Sequence, residues 1–121
     1  MSNEPIRTRN SKRDFVRQIA VENRDSEWGA RILWSRHATA RLIDYGLSRV
    51  DIEEALTQCV VVEDYPSVHR ALPDCLVLGY LPSGEPLHAV VALDVANNRV
   101  FVITVYIPSA ERWQNEWQTR K

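Results

Sequence analysis

The chain has 121 residues, a formal net charge of −1, 45% hydrophobic and 26% charged side chains. That length suits one domain burying about two-thirds of its unfolded surface, and the composition excludes general disorder. No apolar run approaches the roughly 20 residues of a membrane span, and the polar start around Arg7, Arg9 and Lys12 reads against a secretory signal, so no membrane partner and a cytoplasmic location are expected.

Residues 1–11 read as a flexible arm before a single α+β domain over 12–121. From Arg13 to Asn23, Phe15, Val16, Ile19 and Ala20 share one helical face and predict a short helix. Gly29 interrupts, and Arg31–Trp34 reads as a brief extended piece. Ser35 caps a second helix over Arg36–Tyr45, and Gly46 takes the left-handed position that ends it. Ser48 and Asp51 form a capping box with Asp in place of Glu or Gln, and Leu47 and Ile52 can close a hydrophobic staple. Ile52, Ala55, Leu56 and Cys59 carry this third helix to about Gln58. The period then drops to two, which predicts strands over Val60–Tyr65, Asp74–Leu81, Pro86–Asp94 and Arg99–Ile107. Pro66 and Pro73 bound a loop holding His69 and Arg70, while Ser83-Gly84 and Asn97-Asn98 are hairpin signals. Beyond Pro108, Ala110, Trp113 and Trp117 line one side of a terminal helix over Ser109–Thr119. Helices grouped ahead of strands on short turns predict an α+β fold: a four-stranded, mainly antiparallel meander followed by a short C-terminal helix.

Turn lengths fix the pairing. A two-residue loop at Ser83-Gly84 sets Leu76, Leu78 and Tyr80 opposite Val91, Ala89 and Leu87 on one apolar face, with Gly79 opposite His88 on the other. A three-residue loop, Ala96–Asn98, adds Phe101, Ile103, Val105 and Ile107 to the apolar face and puts His88 opposite Tyr106. That register wins over a two-residue turn because each extra large apolar side chain buried contributes about 1.5–3 kcal/mol. It leaves an imidazole and a phenol beside a notch at Gly79: either a reactive site or a half-buried histidine bonded to Tyr106 for structure alone.

Other groups are candidates too. His37 and Arg41, four apart on a helix, could pair a proton shuttle with a phosphate fork, as RNA cleavage by internal 2′-OH attack requires; they equally form an exposed polar stripe with Arg36. Glu63 and Asp64 could act as paired carboxylates or as the charges that protect an edge strand. Cys59 and Cys75 read as buried thiols, and three histidines without ligand spacing argue against a zinc site. Residues 1–36 carry eight basic and five acidic side chains whereas the remainder sums to −4, so any nucleic-acid surface is a local basic patch, unless the excess is only a solvated arm.

The blocks S-R-H-A-T-A-R-L, D-Y-G-L-S, V-V-E-D-Y-P, C-L-V-L-G-Y, P-L-H-A-V-V and I-T-V-Y-I-P-S-A-E-R-W resemble the small bacterial DUF4258 family, a domain of unknown function, from about Trp34 to Trp117. The family's motifs fall on His37, Arg41, Asp64, Tyr65, Cys75, His88, Tyr106 and Trp113. More distantly the chain is similar to the RelE/ParE/BrnT-like toxins, many of them metal-independent ribonucleases silenced by an antitoxin. The resemblance implies a toxin-like component of a type II toxin–antitoxin pair that acts on mRNA, in some members at the ribosome, with an antitoxin protein as partner and no cofactor or metal. The expected catalytic residues are His88, Tyr106, His37 and Arg41, and the expected RNA-binding residues Arg31, Arg36 and Arg70. The alternative is a non-catalytic protein-binding α+β module.

Overall fold

A computed structural model describes residues 8–27, 30–65 and 71–121, so residues 1–7 of the expected arm, Gly29, His69 and Arg70 lie outside the described residues. The first helix, α1 (Arg9–Asp25), is set by its cap: the Thr8 hydroxyl accepts from the Ser11 amide at 3.0 Å and Ser11 Oγ accepts from the Thr8 amide at 3.1 Å. It opens at Arg9, ahead of the Arg13 that apolar spacing predicts, because a polar cap and not a buried side chain fixes its start. Val16, Ile19 and Ala20 do point into the core. So does Lys12, only 3% exposed, whose ammonium donates to the Asp64 carboxylate and to the Asp74 carbonyl at 2.9 Å. A buried ammonium is stable only with such partners, so this group pins α1 to the sheet.

Asn23, near the end of α1, accepts from the Arg31 and Ile32 amides at 2.8 and 3.1 Å and so starts the strand β1 (Ile32–Trp34). The helices α2 (Arg36–Tyr45) and α3 (Arg49–Leu56) follow, with Ser35 and Ser48 as caps. Gly46 closes α2 at φ +64°, donating to Ile43 O at 3.1 Å, while the Leu47 amide reaches Leu42 O at 2.9 Å. Both helices agree with the expectation, α3 ending two residues early.

The strands β2 (Val60–Tyr65), β3 (Asp74–Tyr80), β4 (Pro86–Asp94) and β5 (Arg99–Tyr106) form the expected antiparallel run. The four-stranded meander is nevertheless corrected to a five-stranded mixed sheet in the order β1-β5-β4-β3-β2. The extended piece before α2 lies parallel to β5, Ile32 beside Val100 and Trp34 beside Val102. A pair so far apart in sequence has no turn to announce it. The C-terminal helix is corrected as well: β6 (Trp113–Gln114) and β7 (Thr119–Arg120) make a small hairpin through the left-handed residues Asn115, Glu116 and Trp117, at φ +52°, +54° and +70°. Trp113 and Trp117 face the same side, as four-residue spacing suggests, but around this turn.

The registers differ by one residue from expectation in part of the sheet. The β3–β4 loop has three residues, 82–84, closed by Leu81 donating to Glu85 O at 2.9 Å with Gly84 at φ +90°, so Leu78, not Gly79, faces His88. In the next hairpin His88 does pair with Tyr106, but the loop runs over Val95–Asn98, four residues and not three, and a bulge leaves Ile103 unpaired. Val105 and Ile107 reach the helix-covered face as expected, and Val100 and Val102 join them in place of Phe101 and Ile103. Burial failed to discriminate because both faces are covered. Residues of all three helices share one core cluster with Cys75, Val77, Leu87, Ala89 and Val91; a second cluster, Val62, Leu76, Leu78 and Trp113, lies under the C-terminal hairpin. Among the described residues no helix is long and apolar enough to cross a membrane.

Gly79 therefore faces α3 and makes no notch beside His88. A Cβ there would lie 3.0 Å from the Ala55 carbonyl oxygen and 3.1 Å from Ala55 Cβ, so helix and strand would have to part. Gly79→Ala is expected to lower stability by about 1–3 kcal/mol in urea denaturation, and an unchanged midpoint would show that α3 gives way freely.

Candidate functional site

The second face of the sheet carries the chemistry. His88, on β4, is 0% exposed, yet both ring nitrogens are engaged: Nε2 lies 2.8 Å from the Trp117 carbonyl oxygen and Nδ1 3.0 Å from the Tyr106 hydroxyl. A carbonyl only accepts, so Nε2 carries the proton; Nδ1 of the neutral ring then accepts, and Tyr106 donates. The Trp113 and Tyr106 rings meet the imidazole edge-on, with centroids 4.3 and 5.2 Å away. Burial is the main cause holding the His88 pKa below its ordinary value, and the Arg120 charge adds to it; the Trp117 hydrogen bond and Glu63 oppose it.

The cover over this histidine is clamped from outside. Arg120 lies over the Trp113 ring at 4.7 Å and forks onto Glu63 with contacts of 2.6 and 3.0 Å, while the Tyr65 hydroxyl donates to Glu63 at 3.0 Å. The guanidinium hydrogen bond keeps the Glu63 carboxyl below the usual range, and burial and Glu63 push the Tyr65 phenol up to about 12. Glu63 thus belongs to the hairpin side of β2, whereas Asp64 points to Lys12 on the helix side. The two cannot act as a carboxylate pair, and as charges on an edge strand they fit the second expectation.

Beside the hairpin a cleft of ≈ 410 Å³ opens between the end of α2 and the end of β5, lined by Tyr45, Tyr106, Ile107, Ser109, Arg112, Trp113 and Arg120. Tyr106 is half-buried there and feels the Arg120 charge and the Tyr45 phenol; desolvation is the main cause raising its pKa. Arg112 is exposed and has no ion pair among the described residues. Phenols and guanidinium groups together suit an anionic, planar ligand: the fork takes phosphate oxygens and the rings take bases.

The expected site residues are only partly brought together. His88 and Tyr106 meet, but under cover and without the notch. His37 and Arg41 are exposed on α2, Arg41 3.7 Å from Asp44, and neither contacts His88. Tyr45, one turn beyond Arg41, reaches the cleft. Arg36 is exposed at the start of α2, and Arg31 lies at the opposite end of β5 from Tyr106, 3.9 Å from Glu22 and 3.4 Å from Asn98 O. Tyr45, Arg112 and Arg120 were missed; Arg112 lies in the A-E-R-W block, but reading that block as helix hid its approach to the sheet. Cys59 and Cys75 are buried and free, and desolvation raises both thiols to about 12. Among the described residues no group of three His, Cys, Asp or Glu could hold a metal.

A family model described as a domain of unknown function, DUF4258, matches residues 34–107. The chain belongs to this family. No curated protein and no solved structure matches it. Within this DUF4258 chain the matched region holds the His88–Tyr106 pair and Tyr45, while Arg112, Trp113, Trp117 and Arg120, which complete the cover and cleft, follow it.

Because the folded state disfavours charged His88, the unfolded chain binds a proton below about pH 6.5 that the native chain resists. Stability should therefore be level above that pH and fall as the pH drops toward the lower native pKa. Melting temperature between about pH 7.5 and 5 should show this slope and His88→Gln should flatten it; superimposable profiles would mean that the ring charges as readily folded as unfolded.

Proposed function

We propose that this chain is the toxin-like component of a type II toxin–antitoxin pair: a cytoplasmic, RelE-like endoribonuclease that cleaves mRNA without a metal and engages RNA in the cleft beside the C-terminal hairpin. The observation that supports this reading is the convergence of two phenols, Tyr45 and Tyr106, with Arg112, a guanidinium left without an ion pair among the described residues. Internal cleavage needs a group to take the 2′-OH proton and a cation to stabilise the charge on the phosphoryl oxygens; a tyrosine and an arginine can supply both. Arg41 and Arg36 on α2 would extend the phosphate track away from Tyr45. With a net charge of −1, binding would rest on these few contacts and fall with added salt.

Expression in bacteria should arrest growth, and a protein encoded beside it should relieve the arrest. The purified chain should cut single-stranded RNA in the presence of a chelator, and Arg112→Ala should slow cutting by about 100-fold, the scale of one lost charge-stabilising donor. Absence of both arrest and cutting would refute the proposal. The second reading, a non-catalytic protein-binding module, draws on Ile43 and Val50, aliphatic side chains left 78% and 71% exposed on α2 and α3. A tight complex with the neighbouring gene product, broken by Ile43→Asp in a chain that cuts no RNA, would establish it.

A further inference from the structure

We infer that the reactive atom of the cleft is the Tyr106 hydroxyl oxygen, with buried His88 acting as a proton acceptor behind it. The inference rests on the cleft described above but not on RNA being its substrate. Geometry fixes the direction of the relay. Trp117 O can only accept, so it holds the proton on Nε2 and leaves the Nδ1 lone pair facing Tyr106 at 3.0 Å. When Tyr106 gives up its proton, Nδ1 receives it, and the resulting imidazolium keeps its bond to the Trp117 carbonyl. This is the logic of a hydroxyl nucleophile, a histidine base and a third group that orients the base.

The backbone is shaped to present that carbonyl. Trp117 has φ +70° and follows two further left-handed non-glycine residues. Such a conformation persists only where surrounding contacts over-determine it. Here they are Trp113 packed under Arg120, and Arg120 forked onto Glu63.

On RNA the steps balance as follows. The 2′-OH proton passes to the Tyr106 oxygen as the Tyr106 proton passes to Nδ1. The O2′–P bond forms and the P–O5′ bond breaks, and the leaving O5′ takes a proton from water in the open cleft. His88 then returns its proton to solvent through Tyr106. Tyr106 is the catalytic residue in this scheme, and His88 acts only through it.

The relay has a readout independent of RNA. An aryl sulfonyl fluoride should sulfonylate Tyr106: the phenol oxygen bonds to sulfur, fluoride leaves, and Nδ1 takes the proton. Peptide mapping should find Tyr106 modified at least about 10-fold faster than Tyr45 and Tyr80, although these are 41% and 50% exposed. The rate should rise with the deprotonation of His88, followed by nuclear magnetic resonance of its ring, and level off above it. The charged groups facing the ring, Glu63 and Arg120, hold their charge through that range, the first with its pKa lowered and the second with its pKa raised, and among the described residues the Tyr45 phenol and the Arg112 guanidinium are the other ionisable side chains lining the cleft. His88→Gln, which keeps an amide donor for Trp117 O, should slow sulfonylation at least about 10-fold in a chain with native circular dichroism. Equal rates for wild type and a folded His88→Gln chain would overturn the inference. Should that variant not fold, a wild-type rate climbing steadily to about pH 10, as for an ordinary phenol, would do the same. A fast, histidine-dependent Tyr106 in a chain inert toward RNA would leave the relay standing and remove the ribonuclease.

Discussion

The contact between the His88 imidazole and the Trp117 carbonyl joins from within two parts of the molecule that the Arg120–Glu63 fork joins from outside. It ties the middle of the sheet to a hairpin of two-residue strands, too short to stand alone. With the hairpin in place, Leu76, Leu78 and Val62 are covered, Trp113 is sealed against the imidazole, and Tyr106 is left half in and half out at the rim. A neutral histidine satisfied at both nitrogens costs little to bury, whereas the charged ring would not. The orientation of the base toward the phenol is a consequence of that covered polar pair.

The parts legible in the sequence were those decided locally. Ser35, Gly46 and Ser48 bound α2 and α3 because caps and left-handed ends depend on a few adjacent residues. The antiparallel strands were legible from alternation, and the His88–Tyr106 pairing survived an error in loop length because the Ile103 bulge offsets the longer loop. The rest depended on distant partners. Strand β1 pairs with a segment near the far end of the chain. The choice between faces assumed that one would be wet, and Trp113, read as part of a helix, in fact dries it. In the site, the proximity of imidazole and phenol was legible, but the notch was not there and the cations of the cleft come from the segment read as a helix.

The cleft also sorts the arginines. Arg120 is committed to Glu63 and to the Trp113 ring, so it holds the cover and lends its charge only at a distance. Arg99 is likewise engaged, with Asp94 at 2.8 Å and the Phe101 ring at 5.2 Å. Arg112 is the lining cation not held in this way. In a chain whose charges nearly cancel, what an arginine can do for a ligand is set by which carboxylate already holds it.

Lys12 carries a consequence for where the folding unit begins. The family match opens at Trp34, and a chain cut there would lose α1. Asp64 would be left without its ammonium, and the core would lose Val16, Ile19 and Ala20. The ammonium's bond to the Asp74 carbonyl would go as well, and aliphatic surface of the sheet would be bared. The residues matched by the family model therefore do not include all of those that build this core, to which a cation from the preceding helix contributes.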